Sequence, residues 1–71
     1  MNREQFEIQW KEIENPFKII YLKNNCAVYG EDYEFNDNEW EISIFAIYRI
    51  RFRKIRELIA EIDINEIERI G

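Results

Sequence analysis

Residues Trp40 to Arg56, WEISIFAIYRIRFRKIR, restrict the fold more than any other stretch of the chain. The even positions Trp40, Ile42, Ile44, Ala46, Tyr48, Ile50 and Phe52 are all apolar. The odd positions Glu41, Ser43, Arg49, Arg51 and Arg53 are polar, with Phe45 and Ile47 as exceptions in the middle. Alternation of this kind sends the two sets to opposite faces of a sheet. The branched and aromatic residues pack well on a pleated surface, which favours strand. A helical spacing competes with it through Ile44, Tyr48, Phe52, Ile55, Ile59 and Ile62. The pattern predicts strand up to about residue 52 and helix from Lys54 onward. Ile55, Leu58, Ile59 and Ile62 form the apolar stripe of that helix.

The thirteen residues from Trp40 to Phe52 would span roughly 43 Å as a straight strand. A compact chain of 71 residues is roughly 28 Å across. The strand must therefore bend, with Ser43 to Ala46 as the expected place, or one end must project. A projecting end leaves backbone groups unpaired and open to a partner.

Upstream, Asn2 and Gln5 have the spacing of a capping box for a helix over residues 2–14, with Phe6, Trp10 and Ile13 on one face. Ile8 does not fit that face, and Phe6, Ile8 and Trp10 would equally suit a short strand. Pro16 disfavours helix at Asn15 and starts a new element. Phe17 to Lys23 and Cys26 to Tyr29 read as a hairpin around Asn24-Asn25, since asparagine tolerates positive φ. Tyr33 and Phe35 alternate in a way that could extend the second strand, and Asn36-Asp37-Asn38 reads as a turn. Near the end, Asp63 and Glu66 could cap a short helix, whereas Ile62-x-Ile64 could be a short strand.

The fold expected is α+β in a single small domain, residues 1–71. It has an N-terminal helix, a three-stranded antiparallel meander with a long third strand, and a C-terminal helix on the same sheet face. The alternative is a small all-β barrel in which residues 5–10 and 62–70 are strands. A core this small is marginal. One cysteine and no histidine leave neither an internal disulfide nor a Cys/His metal site to support it, so self-association into a homo-oligomer is expected.

Composition narrows the chemistry. With no histidine and no threonine, Ser43 and Cys26 are the only usual nucleophiles, and neither has an imidazole base. Cys26 reads as a small core residue, and Ser43 as solvent- or helix-facing. Two glycines leave little loop from which to shape a cleft. A non-catalytic protein is expected, with no cofactor. Asp32, Glu34, Asn36 and Asn38 imitate the start of a calcium loop, but Asp37 occupies the glycine position and Ser43 the final carboxylate position. No metal site is expected. The longest apolar run, Ile44 to Tyr48, is far too short to cross a bilayer, so no membrane role is expected. A free cysteine and an amino-terminal segment unlike a signal peptide suggest the cytoplasm.

Two surfaces remain as candidates. The first is the acidic-aromatic segment carrying Tyr33, Glu34, Phe35, Asp37, Glu39 and Trp40. Carboxylates on a rigid hairpin can imitate phosphates, with the aromatics as anchors. It suits a protein-binding inhibitor or accessory module of antitoxin-like or phage-encoded type, whose partner is a basic nucleic-acid-handling protein. The plainer reading is a solubilising acidic loop, or one that pairs with the arginine row. The second is the basic cluster Arg49, Arg51, Arg53, Lys54 and Arg56, which suits a phosphate backbone. Its plainer reading is a solvated face paired with the chain's own glutamates. The net charge of −5 weighs against nucleic acid without removing a local patch. No resemblance to a known family carries either reading.

Overall fold

A computed structural model describes all residues from Met1 to Gly71. It is a small α+β fold, with one N-terminal helix and six strands in two three-stranded antiparallel sheets. Helix α1 spans Arg3–Glu12 and opens on the expected capping box. The Asn2 side chain accepts from the Gln5 backbone N–H at 2.8 Å, and the Gln5 side chain accepts from the Asn2 N–H at 3.0 Å. Its buried face is Phe6 and Trp10, while Ile8 points outward.

Strands β1 (Lys18–Leu22) and β2 (Ala27–Gly30) form the expected hairpin. Asn25 takes a φ of 67° in its turn. Strand β3 (Asp32–Phe35) pairs with β4 (Glu41–Ile50), and β4 pairs with β5 (Arg53–Asp63). A 3-10 turn at Ile64–Glu66 follows, and β6 (Ile67–Ile70) returns to β1. The sheet orders are β2-β1-β6 and β3-β4-β5. Gly30 marks the corner where the chain passes between them. It pairs with Lys18 in the first sheet, and the Glu31 N–H donates to the Phe45 carbonyl beside the second. A Cβ at Gly30 would collide with Ile44 Cγ2, so the corner needs glycine for close approach.

The structure corrects three expectations. The meander is not one sheet, because the corner at Gly30 sends its strands into two. The C-terminal helix is absent: the residues from Arg53 on form β5, a strand as long as β4. A bulge explains the misleading spacing. Ile44 faces Ala60 and Phe45 faces Leu58, so Ile59 is an extra residue in β5. That insertion breaks the two-residue period and makes Ile55, Leu58, Ile59 and Ile62 resemble a helical stripe. The barrel alternative also fails, since residues 5–10 are helical and neither sheet closes on the other, although residues 62–70 are largely extended.

The core lies between α1 and the two sheets. Phe6, Ile20, Ile42, Ile44 and Ile67 are its fully buried large side chains. Tyr33 and Phe35 pack against it from β3, with ring centroids 4.9 and 5.9 Å from Phe6. Trp10 meets Tyr33 edge-on at 4.9 Å. Gln9 Oε1 accepts from the Ile70 N–H at 3.0 Å and ties the helix to β6. The longest molecular axis is 37 Å, against 26 and 22 Å for the others, and the far half of the β4–β5 ribbon is exposed throughout.

Candidate functional site

From Tyr48 to Ile59 every residue is exposed. Over this length β4 and β5 pair only with each other, through Tyr48–Ile55, Arg49–Lys54 and Ile50–Arg53. The chain reverses at Arg51-Phe52, a two-residue turn in which Arg51 has a φ of 58°. Positive φ is uncommon for a residue with a Cβ. Phe52 stands at the point of the turn, fully exposed at 106%. Ile50, beside it, is 57% exposed.

The ladder distributes the basic residues differently from the expectation. Directly opposed residues of an antiparallel pair share a face. Arg49 and Lys54 therefore share one face of the ribbon, and Arg53 shares the other with Ile50. Arg51 sits in the turn. The three alternating arginines do not line one face, because the strand ends at Ile50 and the chain doubles back. The result is a collar of charge around an apolar point. Arg49, Arg51, Phe52, Arg53 and Lys54 enclose an open notch of about 300 Å³ at this end.

Arg56 is separate from the other four. Its Nε donates to Asp32 Oδ2 at 2.9 Å and its Nη1 to Glu34 Oε2 at 3.1 Å. Its guanidinium lies over the Phe45 ring, 3.5 Å from the centroid. It thus pins β5 to β3 across β4. These are the two salt bridges of the chain, so Arg49, Arg51, Arg53 and Lys54 have no carboxylate partner.

The acidic-aromatic surface is also divided. Tyr33 and Phe35 face the core rather than solvent, and Glu34 is held by Arg56. Burial raises the Tyr33 phenol above its ordinary value of 10.0, with the charges of Glu7 and Asp32 adding to the shift. Asp37, Glu39 and Trp40 remain exposed in the β3–β4 turn, Trp40 at 56%. The calcium-like series is occupied by other bonds. Asp32 and Glu34 hold Arg56, Asn36 Oδ1 accepts from the Ser43 hydroxyl at 2.8 Å, and Asn38 donates to Glu41 at 3.0 Å.

Two single-residue expectations are reversed. Ser43 is buried on β4, where Asn36 satisfies its hydroxyl. Cys26 is an exposed free thiol just after the β1–β2 turn, because the β2 pairing begins one residue later. Sequence reasoning also missed an apolar groove of about 390 Å³ at the base of the ribbon, lined by Phe17, Tyr29, Tyr48 and Ile59 among others. The bulge that seats Ile59 there leaves no local signal beyond a break in alternation. No helix is long and apolar enough to cross a membrane. Comparison with known protein families, curated proteins and solved structures finds no match for the chain.

Proposed function

We propose that the protein is a non-catalytic nucleic-acid-binding module whose contact surface is the end of the β4–β5 ribbon. One observation carries this reading: four cations surround an exposed aromatic and none has a carboxylate partner, although the chain holds fifteen carboxylates. Phosphates satisfy the cations, and a base satisfies the ring. The exposed free thiol of Cys26 suits a reducing cytoplasm.

The test is fluorescence anisotropy with labelled single- and double-stranded DNA and RNA, at low and then physiological salt. Binding is expected to weaken steeply with salt. Replacing Arg49, Arg51, Arg53 and Lys54 by glutamine should flatten the slope of log affinity against log salt by about one for each phosphate left without a cation. A parent protein with no affinity at low salt, or a quadruple variant with an unchanged slope, ends this reading.

A second reading is favoured by Trp40, which stands exposed beside Asp37 and Glu39. This corner suits docking to a basic protein surface, as the acidic-aromatic segment suggested, although Tyr33 and Phe35 do not contribute anchors. Substituting Asp37→Lys, Glu39→Lys and Trp40→Ala together should abolish such a partner's capture and leave the fold intact. Retention of the same partners by the triple variant would remove the idea.

A further inference from the structure

The end of the ribbon has two features that attraction to phosphates alone does not need. Positive charge lies on both faces, with Arg49 and Lys54 on one and Arg53 on the other. A single strand offers one row of phosphates, which one face could hold. A duplex groove offers two rows, one on each side of whatever enters it. The second feature is Phe52. It occupies the outermost point, with Ile50 and Ile55 behind it around an open notch of about 430 Å³. A phenyl ring has nothing to gain from a phosphate, but it has a partner in a stack of bases.

The rest of the chain decides how this end must approach. Residues 49–55 hold four of the ten basic side chains and no carboxylate. The remainder, with Arg56, holds six basic residues against fifteen acidic ones, a formal −9. A polyanion is repelled by the body and attracted only at the tip. The ribbon therefore enters end-on rather than lying along its ligand. The chain also offers no row of aromatics beside the tip. Phe45 is covered by Arg56, and Tyr48 belongs to the groove at the ribbon's base. One isolated ring suits a single interruption of a stack, not a platform for successive bases.

We infer that the ligand is duplex DNA, and that the ribbon enters a groove tip-first and drives Phe52 between two base pairs, bending the duplex. This rests on the ribbon being the nucleic-acid contact. The cations grip the phosphates on either side, and the ring partly unstacks one step. Pyrimidine–purine steps unstack most easily and should be preferred.

The experiment uses the whole chain and a duplex of about 30 base pairs with one central TA step, labelled at both ends for energy transfer. Parent protein should raise the transfer efficiency on binding. Phe52→Ala should bind within about tenfold of the parent but leave the duplex straight, and Phe52→Leu should bend it partially. Phe52 touches nothing in the core, so both variants should keep the parent's circular dichroism spectrum. Binding without bending overturns the wedge but leaves the ribbon as the contact. So does equal bending by Phe52→Ala, or tighter binding to the corresponding single strand. Absence of nucleic-acid binding at low salt overturns both, as does Phe52-dependent binding to mixed phosphatidylcholine–phosphatidylserine vesicles without any binding to the duplex.

Discussion

The two ends of the molecule use the same residue types in opposite ways. Around α1 and β3, four aromatics, Phe6, Trp10, Tyr33 and Phe35, pack on one another with centroids 4.9–5.9 Å apart. Two cations there lie over rings, Arg3 over Phe35 and Lys18 over Trp10. At the ribbon's end, one aromatic packs on nothing and four cations have no partner. The difference teaches that stability and contact are separated in space. The body buries this cluster of rings, while the ribbon presents Phe52 and is joined to the body through the ladder at its base and through Arg56.

The largest effect that could break this comparison comes from removing one ring at each end. Phe6→Ala should destabilise the fold by about 3–5 kcal/mol, since Phe6 is fully buried among other core side chains. Phe52→Ala should change stability by less than about 0.5 kcal/mol. Urea unfolding of both variants measures the contrast, and similar losses would erase it. A smaller change sharpens it. Arg51→Gly should stabilise the hairpin by about 1 kcal/mol, because glycine takes the positive φ without strain, while weakening DNA binding. A variant that gains stability and loses affinity would show that arginine stands at this position for contact rather than for folding.

Smaller again is Arg56→Ala, which breaks both salt bridges. The three side chains are 41, 42 and 61% exposed, so the loss should be only about 0.2–1 kcal/mol, read from the same urea curves. It should leave the salt dependence of DNA binding nearly unchanged, which would place Arg56 with the body and not the tip. The smallest effect is one of pH. The folded Tyr33 phenol titrates above its unfolded value, so its stabilising contribution is complete below pH 10.0 and is lost as pH rises through the folded value. Thermal melts should therefore show a shallower alkaline decline for Tyr33→Phe than for the parent.

Much of the body was legible from local signals. The Asn2–Gln5 box, the Asn24-Asn25 turn, the Asn36–Asn38 turn and the alternation of β4 each depend on a few neighbouring residues. The thirteen-residue strand expected from Trp40 to Phe52 is ten residues, Glu41–Ile50, because the chain reverses at Arg51-Phe52, and the bulge lies opposite Ile44 and Phe45, within the stretch where a bend was expected. What was illegible depends on pairing between distant segments. The two-residue period of β5 is broken by Ile59, and only its register against β4 shows why. The splitting of the meander turns on the close approach of Gly30 to Ile44, which nothing near Gly30 encodes. The site was half legible. The basic cluster was visible, but its division between two faces was not, because the turn at Arg51-Phe52 lies inside an unbroken alternation. Tyr33 and Phe35 looked like surface anchors because a strand's pattern does not say which face a helix covers.

The ladder beyond the bulge has a consequence for how such a protein can diversify. Beyond Tyr48 and Ile55, the opposed pairs Arg49–Lys54 and Ile50–Arg53 are bound only to their neighbours along the ribbon. Adding or deleting two residues on each strand would keep every side chain on its present face and move the tip by about 7 Å. Reach is therefore a free variable, set by even numbers and uncoupled from the body, whereas a change of one residue on each strand would exchange the two faces.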